Sequence, residues 1–236
     1  MKRFFLFLLL LSITNSVFSY SEQIIDRVKY TLVEDKYGNR EAHVQPRSYS
    51  GDIVIPETVV YEGKTYTVTT ICNSAFSQCS NLKSLSLPNT IIIIEDYAFQ
   101  YSGLSTITIP NSVTTMGVSL FWGCSNLTSV VLSNNLSTVS KNTFRECKNL
   151  KSISIPEGVT SIGPGAFYNC NSLSSIIVPN SVISIDDDAF YCCKELKTVP
   201  LSTNLTSIGN RAFSHCFNLS LITIPNNIKE IGAENR

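Results

Sequence analysis

Histidine is scarce in this chain: only His43 and His215 occur among 236 residues, far apart in sequence. There is also no G-x-S-x-G elbow, phosphate-binding loop or H-E-x-x-H pair. Chemistry that depends on those arrangements has no support here. Charge of one sign is missing too, since 18 Lys and Arg balance 18 Asp and Glu without a long run of either. Nucleic acid and anionic membrane surfaces therefore find no electrostatic footprint. After the first residues no long apolar run remains; Ile91-Ile92-Ile93-Ile94 is only four long. No CxxC pair with zinc spacing occurs among the eight cysteines, so neither a metal nor another cofactor is expected.

What long apolar sequence there is lies at the start. Met1-Lys2-Arg3 is basic, Phe4 to Leu11 is unbroken and apolar, and Val17-Phe18-Ser19 offers a cleavage site. This pattern predicts a secretory signal peptide over residues 1–19. The run is well short of the ~20 residues that span a bilayer. No further transmembrane segment is expected, and a secreted or cell-surface location is. Removing Lys2 and Arg3 leaves a mature chain with two more acidic than basic residues.

A phenylalanine then returns at Phe76, Phe99, Phe121, Phe144, Phe167, Phe190 and Phe213. Every step but Phe99 to Phe121 is 23 residues, and that one is a residue shorter. The frame around each is clearest in Phe144-x-x-Cys147-x-x-Leu150-x-x-Ile153-x-Ile155-Pro156-x-x-Val159-x-x-Ile162. A fixed period in the twenties is the mark of a repeat solenoid. The expectation is about seven 23-residue turns with parallel β-strands. Ile153 and Ile155 alternate with Ser152 and Ser154, a strand with one buried face. Pro156 ends it, Val159 and Ile162 line the return side, and Phe167 plugs the next turn. One repeat gains too little burial to offset its ordering entropy, so folding should be cooperative along the array. Stacked turns display a long surface, which points to binding before catalysis.

Residues 20–50 are expected to cap the array, with a β-hairpin over Val28–Val33 and Arg40–Val44. The repeat domain then covers 51–236, interrupted by a second hairpin at Tyr61–Tyr66. At the far end Ile231-Gly232 keep the frame, but Asn235-Arg236 stand where Ala-Phe is due. That is either an unusual cap or an array that stops partway, and the expectation is the second.

The frame Ala-Phe-x-x-Cys-x-x-Leu-x-x-Ile-x-Ile-Pro-x-x-Val-x-x-Ile-Gly, followed almost throughout by residues 166–185, resembles the BspA-like (Treponema pallidum type) leucine-rich repeats. The opening Gly51-Asp-Ile-Val-Ile-Pro56 is similar to that family's entry into its array. The resemblance covers residues 51–232. It implies a surface protein of the kind found in anaerobic bacteria and parasitic protists, without enzymatic activity in the repeats. Its partner would be a protein, as in adhesion to a host or neighbouring cell. The alternative is a structural surface or scaffold protein that self-associates without a foreign ligand. Departures are Tyr101-Ser102 where Cys is due, Ser133 and Ser202 in place of Pro, and Pro200 within a strand.

Two surfaces are candidate sites. On the strand face the outward rows carry Ser84, Thr106, Ser129, Ser152, Ser175 and Thr198, with Ser86, Thr108 and Ser154 beside them. They form a neutral sheet able to hydrogen-bond a partner or glycan, or are simply tolerated on a solvated strand. The residue after each Phe gives the second surface, where Trp122, Arg145, Tyr168 and Tyr191 should form a ridge across successive turns. Such residues dominate interfaces, though each could equally pack on its own turn. Six cysteines, Cys79, Cys124, Cys147, Cys170, Cys193 and Cys216, recur once per turn and read as buried thiols, with disulfides between turns as the alternative. Cys72 and Cys192 lie off that column and should be exposed. Asp186-Asp187-Asp188 is a calcium-ligand run or, more simply, the partner of Asn210 and Arg211. Sequons at Asn126, Asn135, Asn204 and Asn218 mark N-glycosylation sites or structural turn positions.

Overall fold

The computed structural model describes residues 19–234. The expected leader over 1–19 lies outside them apart from Ser19, as do residues 235–236. The described residues form a β-solenoid of about 8 turns of ~23 residues, one more than the Phe count implies, without a helix.

The entrance is an antiparallel meander of β1 (Ser19–Ile25), β2 (Val28–Glu34) and β3 (Arg40–Val44). β2 and β3 form the expected hairpin over these residues. Its turn is organised by the Asp35 carboxylate, which accepts from the Tyr37 and Asn39 backbone N–H and from Asn39 Nδ2. Strand β1 is an addition, joined to β2 through Asp26 and Arg27, both left-handed as a two-residue hairpin turn requires. The array begins with β4 (Gly51–Val54). β5 (Thr58–Tyr61) and β6 (Lys64–Ile71) then make the second expected hairpin about Glu62 and Gly63. Because β3 pairs parallel to β6, the cap and the array share one sheet.

Each later turn adds a front strand and a short return strand. They are β7 (Leu82–Ser86) and β8 (Ile93–Ile94), β9 (Thr106–Thr108) and β10 (Thr115–Met116), β11 (Ser129–Val131) and β12 (Thr138–Val139), β13 (Ser152–Ser154) and β14 (Ser161–Ile162), and β15 (Ser175–Ile177) and β16 (Ser184–Ile185). The last two turns keep only return strands, β17 (Ser207–Ile208) and β18 (Glu230–Ile231). Pairing is parallel and in register by one repeat, as in Ser152 with Ser175 and Ser161 with Ser184. In the seventh turn Pro200 removes a donor, and the front ladder shrinks to single bridges through Thr198.

A third ladder runs through the Phe segments. Residues two before and two after most Phe, such as Asn142 and Glu146 around Phe144, are left-handed. That alternation turns three N–H groups of each segment toward the following turn. Asn142 donates to Pro164 O, Phe144 to Ala166 O and Glu146 to Tyr168 O, at 2.7–2.9 Å. The carbonyls correspondingly face the preceding turn. With all three sides of a turn hydrogen-bonded, the Phe rings stack inside at centroid spacings of 5.2–5.8 Å. Tyr49 of the cap closes the stack 4.7 Å from Phe76. A phenol suits this end because its hydroxyl donates to Gln45 O and accepts from Lys29 N.

The cysteine column lies under the same segments. Cys147, Cys170 and Cys193 are fully buried, and all eight cysteines are unpaired thiols. From Cys124 to Cys216 each Sγ of the column donates to the Phe carbonyl one turn back, as Cys147 does to Phe121 O at 3.1 Å and Cys170 to Phe144 O at 3.0 Å, whereas Cys79 donates to Arg47 O. Burial pushes these thiols up, Cys124 to about 11 and Cys216 to about 12. Cys72 and Cys192 are half-buried rather than exposed. Cys72 accepts a hydrogen bond from Gln45 Nε2 at 2.9 Å, and burial raises it to about 12.

The short second turn survives through Gly103. A Cβ there would stand 2.1 Å from Ser80 O, so only glycine lets the shortened segment lie this close. Ser133 and Ser202 replace the strand-ending Pro by closing the turn with their hydroxyls. Ser133 Oγ donates to Val113 O and accepts from Asn135 N, and Ser202 does the same with Asn180 O and Asn204 N.

Candidate functional site

The residues after Phe121, Phe144, Phe167 and Phe190 stand on segments whose backbones are hydrogen-bonded to both neighbouring turns. This fixes the spacing of the outward side chains, and their length decides whether they meet. Trp122, Arg145, Tyr168 and Tyr191 are in contact in that order. The Arg145 guanidinium lies 5.5 Å from the Trp122 ring and 4.0 Å from the Tyr168 ring. Tyr168 and Tyr191 stack at 4.8 Å with 13° between their planes. All four are half-buried.

The row continues past both of its sequence-read ends. Tyr101 meets Trp122 at 6.0 Å, His215 tilts over Tyr191 at 4.9 Å, and Phe217 packs edge-on against His215 at 5.7 Å. Tyr101 and His215 stand two residues after a Phe, not one, so a search at a single frame position passes over them. The signal was Gly123, which occupies Tyr101's frame position on the next turn. A Cβ on it would lie 2.1 Å from the Tyr101 ring, so its missing side chain is the ring's seat.

The charges beside the row are paired. Arg211 donates to Asp188 Oδ2 at 2.8 Å and lies 5.8 Å from the Tyr191 ring, while Arg145 Nε is 3.6 Å from Glu146. Asp187 Oδ1 accepts from Asn210 N at 2.6 Å. The acidic run thus serves the next turn, as the simpler of its two readings holds. Among the described residues no cluster of His, Cys, Asp and Glu could hold a metal ion. Trp122 Nε1 is buried without a hydrogen-bond partner among the described residues.

The strand face is arranged differently. Ser84, Thr106, Ser129, Ser152, Ser175 and Thr198 are exposed in one row. Of these hydroxyls Ser84 alone is held, donating to Asp52 at 2.6 Å. Val131 and Ile177 are exposed beside the row. The sequons mostly have structural employment. Asn135 Nδ2 donates to Asn111 O, Asn204 Nδ2 to Asn180 O, and Asn218 Nδ2 to Glu195. Asn126 is exposed, and its side chain makes no hydrogen bond among the described residues.

No helix among the described residues is long and apolar enough to cross a membrane. No curated protein matches the chain. Among solved structures, a leucine-rich cell-surface protein from Faecalibacterium prausnitzii is similar, with 28% identity and a TM-score of 0.73 over 89% of this chain and 56% of that one. A leucine-rich repeat protein from Eubacterium ventriosum shares the fold at 24% identity and TM-score 0.66, over 84% of this chain and 51% of its own. The leucine-rich repeat protein of T. pallidum does so at 22% and 0.57, over 91% of this chain and 83% of its own. The chain spans about half the length of the first two. The model of the BspA-type leucine-rich repeat region matches residues 63–171 and 137–235, in six copies. What it matches is the frame that builds the Phe stack, over well more than half of the sequence, and the chain accordingly belongs to the BspA-type leucine-rich repeat family.

Proposed function

We propose that this is a secreted or cell-surface repeat protein that binds other proteins through the ridge from Tyr101 to Phe217, in adhesion to a host or neighbouring cell. The observation that carries the reading is the unbroken contact of seven large side chains across successive turns. Arg145 covers one ring face of Tyr168, and Tyr168 and Tyr191 cover each other's faces by stacking. Edges and phenol hydroxyls suit the mixed apolar and carbonyl surface of a protein, whereas sugars stack on open ring faces. Pre-packing also lowers the entropy lost on binding, because neighbours already hold each side chain. A surface location is supported by the Faecalibacterium relative. The division into leader 1–19, cap 20–50 and repeat domain 51–236 goes with this proposal, as does Asn126 as the N-glycan acceptor.

The test is binding of the mature chain to an array of host and neighbouring-cell surface proteins. Trp122→Ala with Tyr168→Ala should lower affinity at least about tenfold for any protein captured, as loss of interface anchors does, in a chain that still unfolds cooperatively. Unchanged binding by a folded double variant sinks the ridge. The second reading, self-association into a surface scaffold, is favoured by Phe217, Leu221 and Ile231 in the last turns, exposed at 73%, 72% and 50%. Concentration-dependent growth in light scattering would support it.

A further inference from the structure

A cleft of about 900 Å³ opens between residues 46–50, which cross from the cap to the array, and the first two Phe segments. It lies at the end of the array opposite Phe217, and its chemistry differs from that of the ridge. Arg47, Ser50, Gln78, Ser80, Asn81 and Gln100 line it, and no carboxylate does. Arg47 is exposed, and its Nη1 donates to Arg27 O at 3.0 Å, which steadies the guanidinium and leaves its other donors open. The side-chain amides of Gln78 and Asn81 have no partner among the described residues. Gln100 uses only Oε1, which accepts from Ser77 Oγ at 3.4 Å.

The polarity of the third ladder adds acceptors. Carbonyls of every Phe segment face the preceding turn, but the first segment has no preceding repeat, so its carbonyls face the cleft. Ala75 O takes Arg47 N at 3.4 Å, and Ser77 O takes only the Cys79 thiol at 3.7 Å. Amide donors, hydroxyls and an under-used carbonyl therefore surround a guanidinium that pairs with no carboxylate among the described residues. A ligand that donates and accepts at neighbouring atoms matches the first set, and one anionic group matches the second. A polyol bearing a carboxylate has both.

We propose that this cleft binds an acidic saccharide, with a sugar carboxylate on Arg47 and sugar hydroxyls on the amides of Gln78, Asn81 and Gln100. The site is separate from the ridge, and the experiment keeps the two apart. Digalacturonate is titrated into the mature chain by calorimetry, with neutral digalactose as the comparison. Saturable binding of digalacturonate is expected, at least about tenfold tighter than digalactose, in line with a charge-assisted fork. Arg47→Gln should remove that preference, and Arg47→Lys, which keeps the charge without the fork, should fall between. Trp122→Ala with Tyr168→Ala should leave the titration unchanged, whatever it does to protein binding. Absence of saturable digalacturonate binding overturns the proposal. So does equal binding of the neutral sugar, or a folded Arg47→Gln protein that binds as tightly as the parent.

Discussion

On the strand face Ser129, Ser152 and Ser175 recur once per turn as exposed hydroxyls without a hydrogen-bond partner among the described residues, whereas on the ridge Trp122, Arg145, Tyr168 and Tyr191 recur at the same interval and touch one another. The two surfaces stand on the same turns and the same hydrogen-bonded spacing. What separates them is reach. Adjacent turns lie about 4.8 Å apart, an interval across which these outward hydroxyls make no hydrogen bond to one another, whereas an indole, a guanidinium and two phenols meet in sequence. In a solenoid the ladder supplies the interval, and only side chains longer than that interval convert a periodic row into a coupled surface. Local variation such as Tyr101 with Gly123 is then absorbed, because the ring finds its seat on the next turn.

Both surfaces stand on one core, and the largest expected effect tests that. Phe144 is fully buried and stacks 5.4 Å from Phe121 and 5.2 Å from Phe167. Phe144→Ala should cost about 3–5 kcal/mol, the usual sum of lost transfer energy and cavity. Urea unfolding would give that figure. Hydrogen exchange should show amides of β13 and of the Arg145 segment losing protection together. Protection lost on one face and kept on the other would break the comparison, since the faces would then belong to separate folding units.

An effect smaller per group should begin on the ridge side, because the thiol column stands under the Phe segments and not under the front strands. A thiol raised in the folded state leaves stability untouched below its unfolded value, about pH 8.5. It then loses stability as pH climbs through the folded value. The window follows from Cys124 at about 11 and Cys216 at about 12, so stability should fall steadily from about pH 9 upward. Each pH unit costs at most about 1.4 kcal/mol per thiol whose two values bracket it. Urea midpoints between pH 8 and pH 11 would measure the slope. At pH 8 a thiol reagent should leave Cys147, Cys170 and Cys193 unmodified until denaturant is added. Rapid native labelling of those three would contradict the column's burial.

Much of this molecule was legible because its period is strict. The seven Phe positions, the thiol column and both hairpins follow from spacing, alternation and turn chemistry. Return strands such as β14 read only as a line through Val159 and Ile162, since two residues are too few to show alternation. Strand β1 was hidden because its residues border the leader-like run, and its pattern gains meaning only once β2 is beside it. The ridge's middle was readable at one frame position. Its ends were not, because Tyr101 and His215 reach the row from the left-handed residue one place further on. That displacement is a property of backbone direction, which composition and spacing do not carry. The cleft at Arg47 was invisible for a related reason. It arises from the one-way polarity of the third ladder and from where the cap crosses it.

The smallest expected effect separates the two surfaces most directly. Ser152 and Ser175 are exposed, pair only through their backbones, and have no side-chain partner among the described residues. Replacing both with Ala removes no packing and leaves no buried group unsatisfied, so stability should stay within about 0.5 kcal/mol of the parent. Arg145→Ala removes a guanidinium lying between two rings and should cost about 1 kcal/mol, the range for a partly screened cation–π contact. It should also loosen the rings, which fluorescence anisotropy of the single Trp122 would report, whereas the serine pair should leave that signal unchanged. An equal response to both would mean that the ridge residues act one by one, as the serines do. Contact across turns would then be geometry without coupling, and reach would not be the property that sets the ridge apart.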